Sequence, residues 1–273
     1  MKETLGVVVL TLNEEVCMER CLDSVQWADE IVVVDSGSTD RTVEIARKIT
    51  DRVYTRPLTT FSEQRNYGAR MCESDWVLFV DADEVVSSAL REEIEHALVD
   101  SAHQAYHIPF VTFMFGGWLR HCMSSQYHIR LYRRAEDQWV GSVHEKVVTT
   151  GSCGFIKSPI LHYSHDDIQA FLAASLDYIW MEVEKAPARP KWLIASLFLR
   201  PPAIFIKTYL LQGGWLDGVR GFTACAMRST YELIRWLHFW ERFRTESPQS
   251  DPYGTAPTLS RVMARFNRRL FGG

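Results

Sequence analysis

The chain holds 273 residues, 47% of them apolar and 12% aromatic, with a formal net charge of −4; this supplies a packed core and excludes a wholly disordered protein. The charge is uneven, since residues 1–167 carry 16 Lys/Arg against 26 Asp/Glu and residues 168–273 carry 14 against 8. An acidic front half fits a site that handles cations, and a basic, aromatic-rich back half fits a surface that meets anions such as phospholipid or phosphorylated glycolipid, the plainer alternative being ordinary solvated charge.

Six cysteines without a CxxC spacing read as reduced thiols of a cytosolic protein. The apolar run Gly6 to Leu12 is preceded by Glu3 and ended by Asn13-Glu14-Glu15, which marks a buried strand and not a signal peptide. In chain order, strands are predicted at Leu5 to Thr11, Ile31 to Asp35, Arg52 to Tyr54 and Trp76 to Val80. Helices are predicted between and after them at Glu15 to Val25, Thr39 to Ile49, Ser62 to Cys72 and Ser87 to Val99. This alternation predicts an α/β fold with a mostly parallel sheet covered by helices. Beyond it, Ala105 to Phe115 and Tyr127 to Tyr132 read as antiparallel or mixed strands broken at Gly116-Gly117, with a short pair at Val143 to Thr149 and Phe155 to Tyr163.

From Asp167 the pattern turns helical: Ile168 to Lys185, Lys191 to Leu199, Pro201 to Gln212 and Trp215 to Phe243. The most apolar stretch, Leu193 to Leu211, is interrupted by Arg200, Pro201-Pro202 and Lys207, which argues against a straight transmembrane helix. Two helices in the membrane interface, with Trp180, Trp192, Trp215, Trp236 and Trp240 at headgroup depth, are one reading, and a soluble helical cap is the other. The domains expected are an α/β unit over 1–166, a helical membrane-associating region over 167–245, and a linker with a basic tail over 246–273.

In an open α/β sheet ligands bind outside the carboxyl ends of the strands. Here those ends are polar: Thr11-Leu12-Asn13-Glu14-Glu15, Asp35-Ser36-Gly37-Ser38-Thr39-Asp40 and Asp81-Ala82-Asp83-Glu84. Two carboxylates one residue apart on a strand-ending turn suit a divalent ion, Mn or Mg, shared with a nucleotide diphosphate; alone, the pair would equally cap the next helix. Asp35 can accept hydrogen bonds from a base or ribose, or serve the local turn. Arg65 can reach a nucleotide or stand exposed, and His162 and His165 can complete a metal sphere or hold a diphosphate. Arg130, Arg133 and Arg134 form a basic cluster that strand alternation must split.

The set Thr11-Leu12-Asn13-Glu14, Val33 to Asp40, Gln64-Arg65-Asn66 and Asp81-Ala82-Asp83-Glu84, in this order and spacing, resembles glycosyltransferase family 2 with the GT-A fold. More weakly, Trp139 to Glu145, Leu161-His162-Tyr163 and Gly214 to Gly218 resemble the small bacterial branch acting on the lipopolysaccharide inner core, which includes a β-1,4-glucosyltransferase. The resemblance implies an inverting, metal-dependent hexosyltransferase using a UDP-glucose-like donor and a glycolipid acceptor at the cytoplasmic face of the membrane. It implies nucleotide-sugar binding by Thr11, Asn13, Glu14, Asp35, Arg65, Asp81 and Ala82, metal binding by Asp83 with His162 beside it, and Glu145 as catalytic base with Glu84 in reserve. His144, Arg130 and Trp118 are candidates for acceptor or diphosphate contacts.

Two rivals remain at this point. Phe79 to Val85 also fits the nucleophile loop of haloacid-dehalogenase phosphohydrolases, although there the motif belongs on the first strand of the domain. A membrane-tethered binding module without catalysis is the other. No nucleic acid is expected among the partners.

Overall fold

A computed structural model of the chain describes residues 3–99, 102–123, 127–134, 138–141, 146–149, 151–165, 167–186 and 188–244. Its front half runs β1 (Leu5–Thr11), α1 (Met18–Asp23), β2 (Glu30–Asp35), α2 (Thr42–Ala46), β3 (Val53–Thr55), α3 (Phe61–Met71), β4 (Trp76–Asp81), β5 (Glu84–Val86) and α4 (Ser88–Val99). There follow β6 (Ala105–Met114), β7 (Gly117–Leu119), β8 (Tyr127–Arg133), β9 (Gln138–Val140), β10 (Lys146–Val148), β11 (Cys153–Phe155) and β12 (Ile160–Tyr163). Three long helices close the described chain, α5 (Ile168–Lys185), α6 (Leu193–Ile206) and α7 (Gly218–Phe243).

The main sheet has the order β3-β2-β1-β4-β8-β6-β12-β5, with β7 and β11 paired to β6. Strands β3, β2, β1 and β4 are parallel, and β8 enters antiparallel between β4 and β6. Every residue of β1 is buried, because helices cover both faces and a continuous apolar run then outcompetes strict alternation. Val7, Val9, Leu78 and Val80 face Leu22, Leu90 and Ile94 in one core. Val8, Leu10, Val77 and Phe79 face Ala69, Tyr132 and Trp139 in the other. Helix α3 lies so close to β1 that a Cβ on Gly68 would sit 2.3 Å from Val8 Cγ1.

Four expectations change. The short pair expected at Val143 to Thr149 and Phe155 to Tyr163 does not form among the described residues, because β10 pairs with β9 while β11 and β12 each lie parallel to β6. Helices α1 and α2 are shorter than the sequence pattern predicts, because their expected first turns are held in loops. The Cys17 amide bonds to the Glu14 carbonyl at 3.0 Å, and Asp40 takes the Thr42 amide at 3.0 Å and the Glu15 amide at 3.1 Å. The predicted break at Pro201-Pro202 does not occur: α6 passes through it and runs on into a π-helical turn, Lys207–Leu211. Each proline removes one backbone hydrogen bond, but Pro201 is buried and its carbonyl accepts the Ser229 hydroxyl at 2.9 Å, which braces α6 on α7. Finally, Trp236 is not at the surface but packs with Ile179, Val183, Leu193 and Phe239.

The closing helices join the sheet through a third core, in which Phe171, Ala224 and Cys225 meet Met114, Leu119 and Cys122. Their outer faces stay apolar, with Trp192 76%, Phe198 70%, Leu211 79% and Val219 82% exposed. Leu193–Leu211, 19 residues, is long and apolar enough to cross a membrane by length and composition. All six cysteines are free thiols.

Candidate active site

The first two strand ends are knitted together. Asn13 adopts a left-handed backbone (φ 55°), which turns its amide toward Ser38 Oγ at 2.8 Å while its Oδ1 accepts the Thr39 amide at 2.8 Å. Asp35 is 1% exposed, and its carboxylate accepts the amides of Gly37 and Ser38 at 3.1 Å. Gly37, at φ 107° with open space where a Cβ would be, lets the chain fold back over that carboxylate. Asp35 therefore builds the turn first. Thr11 Oγ1 is buried without a partner among the described residues, an orphan that a ligand can satisfy.

The three residues of the Gln64-Arg65-Asn66 motif each fasten a different segment, whereas the sequence reading left Arg65 between a nucleotide contact and an exposed position and gave the other two no role of their own. Gln64 Nε2 donates to the Arg56 carbonyl at 2.7 Å. Asn66 pairs twice with the Trp139 backbone, at 2.8 and 2.9 Å. Arg65, 4% exposed, lies over the Trp139 ring and donates to Asp81 at 3.0 Å, so it is not an exposed helix arginine.

Asp81 ends β4 and is clamped from both sides, since Arg130 on β8 reaches it at 3.1 Å and also bonds Glu84 at 3.0 Å. Burial opposes ionisation of Asp81, but the two guanidiniums outweigh it and hold the carboxyl well below the usual range. Glu84, 3% exposed, accepts the Asp81 amide at 2.8 Å; burial pushes it upward against the pull of Arg130. That position withdraws Glu84 from the role of reserve base, because its oxygens are spent inside the cluster. Arg133 and Arg134 part company with Arg130, bonding Glu3 and the Ser74 carbonyl at the opposite end of the strands.

Asp83 follows on the turn. The ladder between β5 and β12 sets His162 opposite Glu84, and this register brings His162 Nε2 to 3.0 Å from Asp83 Oδ2. Burial works against a charged imidazole, but the bond to Asp83 and the surrounding carboxylates prevail and raise His162 to about 9. Glu14, reaching the same spot from the β1 end, is pushed up to about 7 by burial and by the charges of Asp83 and Asp40. Acidic groups crowded beyond their donors are chemically suited to a cation. Asp83 offers an oxygen, His162 would offer a nitrogen once a cation displaced its proton, and a diphosphate would complete such a sphere. Among the described residues no three His, Cys, Asp or Glu side chains form a ready-made metal cage.

Beyond this cluster opens a cavity of about 570 Å³. Arg65, Asp81, Glu84, Arg130 and His162 line its inner end, while Ile204, Lys207, Thr208, Gln212 and Arg228 of the closing helices line the far wall. Trp118 is half-buried beside the site, edge-on to Phe113 and Tyr163 at 5.2 and 5.4 Å, and the Tyr163 ring is covered by Arg20 at 3.6 Å. Ala82 is buried, its amide bonded to the Leu10 carbonyl at 3.1 Å. His144 and Glu145 lie outside the described residues.

One residue escaped the sequence reading although its motif was noticed. Asp217, within Gly214 to Gly218, accepts the amides of Arg120, His121 and Cys122 at 2.9 to 3.0 Å, so the motif is a buckle fastening the loop after β7 to α7. Gly221 permits that closeness, because a Cβ there would lie 2.0 Å from the Gly214 carbonyl.

Residues 6–161 match the sequence profile of glycosyl transferase family 2, and the chain belongs to that family. The parallel-dominant sheet flanked by helices is its GT-A architecture. The lipopolysaccharide core biosynthesis glycosyltransferase LpsC of Rhizobium meliloti is 26% identical over 254 residues, covering 88% of this chain and 93% of the relative. An uncharacterized glycosyltransferase of Rickettsia bellii is 27% identical over 243 residues, 80% and 82% of the two chains. Among solved structures, S. aureus TarS 1-349 in complex with UDP-GlcNAc is similar at a TM-score of 0.47 and 17% identity, over 88% of this chain and 87% of that one. Glucosyl-3-phosphoglycerate synthase of Mycobacterium tuberculosis with Mn2+ and UDP-glucose gives a TM-score of 0.34 and 27% identity, over 42% and 45%. Family membership removes the phosphohydrolase reading, and Asp81, its required nucleophile, is tied to two arginines.

Proposed function

We propose that the protein is an inverting, metal-dependent hexosyltransferase that moves a sugar from a UDP-glucose-like donor to a glycolipid of the lipopolysaccharide core or a related envelope glycan. The observation that carries this reading is the meeting of Asp83 and His162 at 3.0 Å beside the Arg65–Asp81–Arg130 clamp, at the inner end of a cavity. Thr11, Asn13, Glu14, Asp35 and Ala82 border the nucleotide, and the orphaned Thr11 hydroxyl donates to it. Asp83 would hold Mn or Mg, with His162 joining once the cation displaces its proton, and the ion would supply charge to neutralise the departing diphosphate. Arg65 and Arg130 fix Asp81 as a charged acceptor for the ribose side of the donor. Inversion needs one base to take the acceptor hydroxyl's proton as it attacks in line, and Glu145 is assigned that role, with His144 and Trp118 on the acceptor side.

The acceptor class is supported by the relationship to LpsC across nearly the whole of both chains. The membrane assignment rests on Trp192, Phe198, Leu199, Leu211 and Val219, all exposed on the basic closing helices with Lys191 and Arg200 nearby. They fit a peripheral seat on the cytoplasmic face of the membrane.

Incubation with UDP-glucose and manganese tests the chemistry: slow UDP release is expected, lost in Asp83→Ala. Phosphate release from sugar phosphates, with no UDP release, would sink the transferase reading. For the membrane seat, cosedimentation with phosphatidylglycerol vesicles at low salt should fall several-fold in Phe198→Glu/Leu211→Glu. A protein that stays in the supernatant with wild-type residues overturns it.

A further inference from the structure

The cavity's lining includes none of Thr11, Asn13, Glu14 or Asp35 among the described residues, so its bulk lies on the transfer side of the donor. At about 570 Å³ it has room for a sugar-sized acceptor group. Its inner end is acidic but internally balanced, since Asp81 and Glu84 are matched by Arg65 and Arg130.

The far wall is different. Lys207 and Arg228 both line the cavity, and neither forms an ion pair among the described residues. Helix α6 contains no carboxylate. On α7, Glu232 is already committed to Arg235, at 2.8 Å, and Arg200, at 3.6 Å, and Glu241 stands beside His238. Two cations thus face the reaction space without a carboxylate partner among the described residues, although the Arg228 guanidinium also lies 5.7 Å from the Tyr231 ring centre.

The backbone adds to this. The π-helical turn begins at Lys207, and the Gln212 amide bonds the Lys207 carbonyl at 2.9 Å. That i to i+5 link stacks Gln212 beside Lys207, where ordinary α-helical winding would set residues five apart roughly 140° from each other around the axis. A π-turn is an uncommon feature that concentrates at functional sites. Here it gathers an ammonium and an amide on one wall, with the Arg228 guanidinium joining them from α7.

We propose that Lys207, Arg228 and Gln212 form an anion subsite that binds a phosphate monoester carried by the acceptor glycan. The inference rests on reading this cavity as the transfer site of a glycosyltransferase. A phosphate oxygen cluster suits a guanidinium fork plus a point ammonium better than a neutral sugar does. It also selects acceptors, because a glycan without that charge leaves both cations unmatched. Arg228 supplies geometry and Lys207 supplies charge.

The test uses the full chain with UDP and manganese saturating the donor end, titrated calorimetrically with D-glucose 6-phosphate at constant ionic strength. Wild type should bind in about the millimolar range, D-glucose should not, and Lys207→Ala/Arg228→Ala should weaken binding at least tenfold. Lys207→Arg should restore it in the presence of Arg228. Both residues are exposed, so the double variant should keep the wild-type circular dichroism spectrum and Tm. Equal affinity in wild type and double variant, or no phosphate-dependent binding in wild type, overturns the subsite. Failure of UDP itself to bind would instead strike the donor reading, and the difference between wild type and double variant is read in either case.

Discussion

The two edges of the parallel sheet use the same residue types to opposite ends. At the amino-terminal edge, Glu30 accepts the Ser74 hydroxyl at 2.8 Å and the amides of Glu73 and Ser74 at 2.8 and 3.0 Å, and it pairs with Arg52. Asp75 takes the Thr4 amide and hydroxyl at 2.9 Å, and Glu3 takes Arg133 and the Trp76 indole at 2.7 Å. All three titrate below their ordinary values: for Glu30 burial opposes ionisation but the Ser74, Glu73 and Cys72 bonds outweigh it, for Asp75 the Thr4 bonds lead, and for Glu3 the Arg133 bond leads. At the carboxyl edge Glu14 and Glu84 are shifted upward by burial and by neighbouring carboxylates. At the first edge donors outweigh burial for all three carboxylates; at the second they do so for Asp81 and Asp40 but not for Glu14 and Glu84. The first edge is satisfied by folding, and under the proposed function a nucleotide sugar and its cation would complete the second.

Asp83→Ala is the sharpest way to probe this contrast. Transfer activity should fall by about 10²-fold or more, because a cation's anchoring charge is lost where charge develops. The unfolding free energy should change by less than about 1 kcal/mol, since removing one member of a like-charged group relieves repulsion as it breaks the His162 bond. A large loss of stability, measured by urea denaturation, would erase the distinction between the edges.

Arg130→Met should cost about 3–5 kcal/mol, because it strands Asp81 and Glu84 in a buried site with one guanidinium fewer. The same urea titration checks it, and a loss under about 1 kcal/mol would mean that Arg65 alone balances the clamp.

The smallest effect belongs to Glu30→Gln, at about 1–3 kcal/mol near pH 7 with activity retained. Its folded pKa lies below the unfolded value, near the ordinary 4.5. The stabilisation is therefore complete above that unfolded value and is lost as pH falls through the folded one. Thermal unfolding of wild type and variant should converge in acid. A difference that grows on acidification would show that Glu30 is not ionised in the fold.

Much of the front half was legible from residue patterning alone. Local patterns decide it: continuous apolar runs specify buried parallel strands, and the polar tripeptides after β1, β2 and β4 must then share one edge. Family membership follows from those same segments. The helix boundaries were less legible, because Asp40 and Glu14 bind loop amides that a periodicity argument would assign to helices. The proline pair misled for a related reason, since the partner that holds α6 through it, Ser229, lies 28 residues away.

What the sequence by itself determined is which residues stand at the strand ends and hence where chemistry can occur. Only the tertiary structure decided their pairings. His162 meets Asp83 across 79 residues through the ladder between β5 and β12. Arg130, set apart from Arg133 by its place along β8, closes on Asp81 and Glu84. Lys207 and Arg228 reach the same cavity because α6 and α7 fold back over β6 and β7. Such contacts depend on register and helix packing, which long-range burial sets and no local pattern encodes.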